Sequence, residues 1–257
     1  MVTDLEIKLL ELTKSRKRTK VMDLAPGLRA GDRNIEKRLA SLRDAGFVNW
    51  IDGTLEQDSL QRMMLAQKLI QEGRDPERVS RSLVWQEFEE FVEHALVRNG
   101  YRAVRHFVFK TRLGRREIDI LAWNDVWILA IDCKHWATQL AHSRMRNAAH
   151  AQMERTSELA RRADLLQRCG IKSMDLPLTA VILVLGEPHD RVIEGVPIVP
   201  LVKFPSFLHE GSPYERKIVV TYVTQSTQSA LMPSTSNPTE NRSPSLVEFS
   251  DASGLGN

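Results

Sequence analysis

The sequence predicts an α/β fold, a mixed sheet flanked by helices, behind a small N-terminal helical domain. Three observations predict it. Two apolar strands, 116–123 and 126–133, are joined by the tight turn Asn124-Asp125. An amphipathic helix over 83–98 precedes them, with Phe88, Phe91, Val92, Ala95 and Leu96 on one stripe. Leu178 to Leu185 is apolar throughout, as an interior strand covered on both faces must be.

The bulk properties set the bounds. At 257 residues and 42% hydrophobic, the chain can bury a core. A net charge of +3 permits a nucleic-acid partner without demanding one. Basic segments at 1–50 and 101–120 flank an acidic one at 51–100, which on its own is also what solvated helix faces would give. Two cysteines, Cys133 and Cys169, exclude a disulfide framework and a zinc site, and fit a reducing compartment. No apolar run reaches the roughly 18 residues of a membrane span, and the start is charged. A soluble cytoplasmic protein with no membrane partner is the expectation.

Residues 1–55 read as one small domain. A helix over 3–14 is capped by Thr3 with Glu6 as its capping-box partner, and Leu5, Leu9, Leu10 and Leu12 give its apolar face. A short helix covers 19–24 and stops before Pro26-Gly27. A third runs over 32–45 from Asp32 to Gly46, buries Ile35, Leu39 and Leu42, and exposes Arg33, Lys37, Arg38 and Arg43. Phe47 to Thr54 reads as a hairpin with an Asp-Gly turn. Residues 56–82 read as a helical linker.

The domain at 83–223 follows. Three strands at 103–110, 116–123 and 126–133 form a meander, with turns at Gly114 and Asn124-Asp125. A long helix covers 139–168, then come strands at 178–185 and 196–202, a helix near 205–210 and a last strand near 217–223. The Ser-, Thr-, Asn- and Pro-rich stretch 224–257 reads as a disordered tail.

The charges inside the strands need an explanation, because a buried charge costs several kcal/mol unless it is paired or bound to metal. Asp132 and Lys134 are two apart and share a strand face, while Ile131 and Cys133 face the other way. Asp119 lies on the neighbouring strand. Glu89 borders the apolar stripe of its helix and can reach sideways into a site on the sheet, whereas Glu90 and Glu93 point to solvent. Glu89, not Glu87, Glu90 or Glu93, is the residue expected to point at Asp119. Carboxylates so placed suit Mg²⁺ (or Mn²⁺), which prefers oxygen ligands. The plainer alternative is a set of edge-strand charges forming a structural ion pair.

Helix Glu89, strand Asp119 and Asp132-Cys133-Lys134, in the order helix, three strands, helix, strand, resemble the PD-(D/E)XK nuclease superfamily, and most of all its Mrr-like restriction endonucleases and archaeal junction-resolvase-like proteins. The resemblance covers about 85–202. It implies a restriction-endonuclease-like αβββαβ core. It also implies a Mg-dependent deoxyribonuclease hydrolysing phosphodiester bonds in restriction or repair. Glu89, Asp119 and Asp132 would hold the metal, and Lys134 would complete the catalytic set. The chain departs from the pattern in having Asp rather than Glu or Gln at 132 and Ile118 before Asp119. Some relatives carry Gln-x-x-x-Tyr on the following helix; here only Gln152 is kept as catalytic, since Thr156 stands where the Tyr would be. Ile35 to Val48 is similar to the recognition helix and first wing strand of winged helix-turn-helix domains, which implies DNA contact through Arg33, Lys37 and Arg38; many such domains bind protein instead. Arg115 and Arg116 beside the site are expected phosphate contacts. Glu117 is expected to face solvent or an arginine, His135 to be a surface histidine and Trp136 to pack at the strand end. Nucleases of this fold often work as homodimers. The alternative function is a DNA-binding or regulatory protein that keeps the fold without turnover.

Overall fold

Alternation and turn chemistry lay out a continuous sheet that places the charged strand positions at its centre. The structure is a computed structural model. It describes residues 4–26, 35–112, 114–134, 142–173, 175–212 and 217–223. Thr3, Asp32, Arg33, His135, Trp136 and the whole stretch 224–257 lie outside the described residues.

The N-terminal elements are α1 (Leu5–Thr13), β1 (Arg18–Lys20), α2 (Val21–Leu24), α3 (Ile35–Asp44), β2 (Asn49–Ile51) and β3 (Thr54–Glu56). The strands make an antiparallel sheet in the order β1-β3-β2. Asp52 and Gly53 at the β2–β3 turn both have positive φ, 47° and 73°, which the tight hairpin requires. Two expectations are corrected here. Residues 18–20 pair as a strand with 54–56 instead of starting a helix. Asp4, not Thr3, precedes the first helix, without a side-chain cap, and Glu6 is taken by Arg38 instead of a capping box.

The segment read as a linker is packed structure. Asp58 caps α4 (Ser59–Gln71) through a reciprocal bond pair with Gln61, and α5 (Pro76–Arg81) follows behind Asp75. Met63, Leu65, Ala66 and Leu69 of α4 are fully buried in one cluster with Leu5, Leu9 and Leu10 of α1 and with Phe88, Val92 and Leu96 of α6 (Trp85–Arg98). The joint is locked by a buried ion pair. Arg62 Nε lies 2.7 Å from Glu87 Oε1, with both side chains shut off from solvent. The guanidinium also donates to Leu10 O, Thr13 Oγ1 and Ser82 O.

The main sheet runs β4-β5-β6-β7-β9-β8, with β10 also paired to β7. The antiparallel meander is β4 (Arg102–Thr111), β5 (Gly114–Trp123) and β6 (Ile128–Lys134). α7 (His142–Ala160) and α8 (Ala163–Arg168) carry the chain to β7 (Pro177–Val184), which lies parallel to β6. The remaining elements are β8 (Val192–Ile193), β9 (Val196–Pro200), α9 (Phe204–Glu210) and β10 (Val220–Tyr222). The expected αβββαβ order is present as α6-β4-β5-β6-α7-β7. The expected single helix at 139–168 is instead two, because Arg162 leaves the helical region and bonds Asp164 and Lys110 O. β8 was not anticipated; two residues are too few for a pattern.

Helices cover both sheet faces. Ile120, Ala122, Leu129, Ile131 and Cys133 face α6 and the N-terminal helices. Leu121, Trp123, Ile128 and Ala130 face α7 and α8 with Leu159 and Leu166. Burial on both faces leaves little water for a charge at the sheet centre, so buried Asp132 must be met by protein or ligand.

Breaking one half of the Arg62–Glu87 pair strands the other in the core. Arg62→Met is predicted to lower stability by about 3–5 kcal/mol in urea titrations. The added Glu87→Gln should recover part of that loss, because no carboxylate is then left uncompensated.

Candidate active site

β5 and β6 place Asp119 and Asp132 on neighbouring strands, and the period-2 alternation turns Asp132 and Lys134 toward α7. They line a cleft of about 450 Å³ together with Arg115, Arg116, Glu117, Ala151, Glu154 and Arg155. Asp132 is buried. Its Oδ1 accepts from Lys134 Nζ at 2.9 Å and from Arg155 Nη2 at 2.8 Å. Its Oδ2 has Lys134 Nζ at 2.8 Å but makes no well-aligned hydrogen bond. Asp119 Oδ2 accepts the Cys133 backbone N–H at 2.8 Å, which ties the two strands where the ladder between them stops.

The electrostatics of the pair are unfavourable without a ligand. Burial, then the Asp132 charge, push the Asp119 carboxyl up to about 6, against the opposing Cys133 N–H and Lys134. Burial, with these same carboxylates, holds the Cys133 thiol well above its ordinary value, so it is a protonated core group.

Each expected residue has a definite place. Asp119, Asp132 and Lys134 share the cleft. Glu89 is buried near Cys133 and is not among the residues that line the cleft. Its Oε1 accepts from Trp85 Nε1, and His106 Nε2 stands 3.3 Å from its Oε2. The other carboxylates on α6 are otherwise engaged: Glu87 by Arg62, Glu90 and Glu93 by Arg105. Glu89 is the one whose charge bears on Asp119. Gln152 is fully buried, donates to Ala130 O at 2.8 Å and accepts from Arg155 Nε at 2.9 Å. It orients Arg155 and does not face the cleft.

Among the basic residues, Arg115 is exposed at the cleft mouth. Arg116 is held by Glu158 at 2.8 Å and by Glu154 at 3.5 Å, so it ties β5 to α7. Lys37 is exposed on α3, while Arg38 lies 2.6 Å from Glu6 and 3.3 Å from Asp4. Glu117 is exposed to solvent, as expected. It lines the cleft and accepts from His106 Nδ1 at 3.1 Å, not from an arginine. Sequence reasoning missed Arg155 as a site residue. Its only signal is the i, i+3 spacing from Gln152, which stacks the two on one helix face.

Among the described residues, no three His, Cys, Asp or Glu side chains stand close enough to form a metal cluster. The donor set nevertheless fits a Mg²⁺-type ion. Such an ion needs one or two carboxylates, with water and substrate phosphate completing its shell. Asp132, buried, and Asp119, partly buried and raised by burial and then by the Asp132 charge, provide two.

The αβββαβ core is consistent with a restriction-endonuclease-like fold. Residues 80–160 match the family model Mrr_cat, a restriction endonuclease, so this part of the chain is similar to an Mrr-like nuclease domain. No curated protein matches the chain. A crystal structure of a protein of unknown function, AF1548, is similar at 14% identity and a TM-score of 0.27. The similarity covers 40% of this chain and 47% of that one, so the chain spans about half of that protein's length.

The raised Asp119 carboxyl gives a stability prediction with a definite sign. Below about pH 4 the group is protonated in both folded and unfolded chains and costs nothing. As pH rises through 6 the unfolded chain ionises first, so folded stability falls, by at most about 3 kcal/mol. Asp119→Asn removes this cost. In metal-free buffer the variant should melt above wild type at pH 8, with the gap closing toward pH 4. Adding Mg²⁺ at pH 8 should raise the wild-type melting temperature but not the variant's.

Proposed function

We propose that this chain is a metal-dependent DNA endonuclease of restriction or repair type, hydrolysing phosphodiester bonds with Mg²⁺ or Mn²⁺. The observation that carries the reading is the cleft itself: Asp119, Asp132 and Lys134 converge in it from two strands, and Arg115 stands at its mouth. Asp119 and Asp132 would hold the cation. When bound, the cation neutralises phosphate charge and acidifies a coordinated water.

The chain's own residues do the rest. Lys134 keeps an ammonium in the cleft where charge on phosphorus must be stabilised. Arg155, held by Gln152, steadies Asp132 from α7. Arg115 offers a guanidinium to a backbone phosphate without giving up an internal pair. Ile131 and Cys133 keep the floor apolar and closed from the α6 side.

The N-terminal residues 1–55 form, in this reading, a winged helix-turn-helix that holds duplex DNA. The order α1-β1-α2-α3-β2-β3 with a three-stranded sheet supports it. Lys37 is the α3 contact this favours, because Arg38 is held by Glu6 and Asp4. The packing of α4 on α6 argues against 56–82 as a free linker, so the two parts would meet DNA as one body.

A second reading has its own support. Asp132 is already met by Lys134 and Arg155, which is how a binding protein without turnover would neutralise it. Cleavage separates the two. Wild-type chain with Mg²⁺ or Mn²⁺ should cut at least one of plasmid, branched or methylated DNA, and chelation should stop it. Asp119→Ala should abolish cutting, and Lys134→Ala should slow it about 100-fold or more. Equal cutting by wild type and Asp119→Ala, or DNA binding without cutting under every condition, sinks the nuclease reading.

Affinity for DNA gives an independent check on α3. Lys37→Ala should weaken binding across all sequences and reduce the slope of log K against log salt by about 1. Arg38→Ala should instead lower the melting temperature, since it unlocks Glu6 and Asp4 from α3.

A further inference from the structure

His106 is the one residue of β4 with a positive φ, 52°, in the middle of a ten-residue strand. The left-handed region is unusual for a non-glycine residue inside a strand, and such conformations persist where the surroundings impose them. Its position sharpens the point. On β4 and β5, Arg105 pairs Ile120 and Phe107 pairs Ile118, so His106 stands opposite Asp119, and there alone the ladder skips a pair. The ring stands between two carboxylates. Nδ1 meets Glu117 Oε1 at 3.1 Å, within the cleft lining, and Nε2 stands 3.3 Å from the buried Glu89 Oε2.

A buried carboxylate needs a partner. Glu89 is 1% exposed; Trp85 serves its Oε1, and His106 is the basic group beside its Oε2. A ten-residue strand with ordinary φ at 106 would alternate this side chain to one face only. The twisted backbone is what lets one ring stand between carboxylates belonging to α6 and β5.

We propose that His106 is a positioning residue of the cation site, joining Glu89 to Glu117 so that both carboxylates are held around Asp119. The inference rests on the metal reading of Asp119 and Asp132 given above. His106 touches neither cation nor DNA in this scheme. It fixes the negative charge that surrounds Asp119, and outer-shell partners of this kind typically carry a 10- to 100-fold effect on metal affinity.

The backbone supplies a test that separates this role from packing. Glycine accepts a positive φ without strain, so His106→Gly relieves the backbone while deleting the ring. The full chain and this variant are compared by Mn²⁺ calorimetry and by melting in metal-free buffer. The expected result is a variant that still unfolds cooperatively, with Mn²⁺ affinity lowered about 10-fold or more. His106→Asn, which also tolerates the left-handed region and keeps a donor, should lie between the two in affinity. Wild-type Mn²⁺ affinity in His106→Gly overturns the proposal. So does loss of the fold in His106→Gly together with unchanged affinity in His106→Asn. No Mn²⁺ uptake by the wild-type chain overturns it along with the metal site, whereas Mn²⁺ uptake without DNA cleavage sinks only the nuclease activity.

Discussion

Asp119 and Asp132 are two carboxylates placed on adjacent strands of a sheet that is covered on both faces. Burial opposes the charge of each, and each opposes the charge of the other. Much of the surrounding structure answers that conflict. The Cys133 N–H meets Asp119, Lys134 and Arg155 meet Asp132, and Gln152 holds Arg155 in register with the strand through Ala130 O. A core built only for stability would place apolar residues here, since replacing buried ions with packed side chains is often neutral or stabilising. The retained conflict is what supports the proposal that the site takes a divalent cation and a phosphate.

The rest of the fold fixes the geometry of that conflict. α6 is pinned at its first turn by Glu87 on Arg62, so the helix that carries Glu89 cannot slide without breaking a buried ion pair. α7 is pinned by Arg116 of β5 through Glu158 and Glu154, which sets the reach of Arg155 to Asp132. One arginine thus secures the helix on each side of the sheet. Neither is free for DNA, and the basic surface left at the cleft is carried by Arg115.

How much of this the sequence disclosed follows from the range of the interactions. Period-2 alternation placed Asp132 and Lys134 on one face, because strand geometry is local. The turn Asn124-Asp125 put Asp119 on the next strand. Glu89 emerged from helical phase, yet its engagement by Trp85 and His106 did not, since phase says nothing about partners on other elements. Arg38 and Arg116 read as DNA contacts until partners 32 and 42 residues away in sequence claimed them, and Arg62 gave no signal of its buried partner 25 residues away. The positive φ of His106 carried no residue-type signal, as a glycine would have given. The break at Arg162 was likewise hidden, for it follows from a capture by Asp164 and Lys110 O and not from a proline or glycine.

The account makes the space between Asp119 and Asp132 the place where a cation is held. Anomalous diffraction from a crystal grown with Mn²⁺ and a DNA fragment measures that directly. The predicted result is a manganese peak within bonding distance of both carboxylates, with a backbone phosphate beside it and Lys134 nearby. A crystal whose manganese lies elsewhere, or whose Asp132 keeps Lys134 and Arg155 with no metal at Asp119, would contradict it.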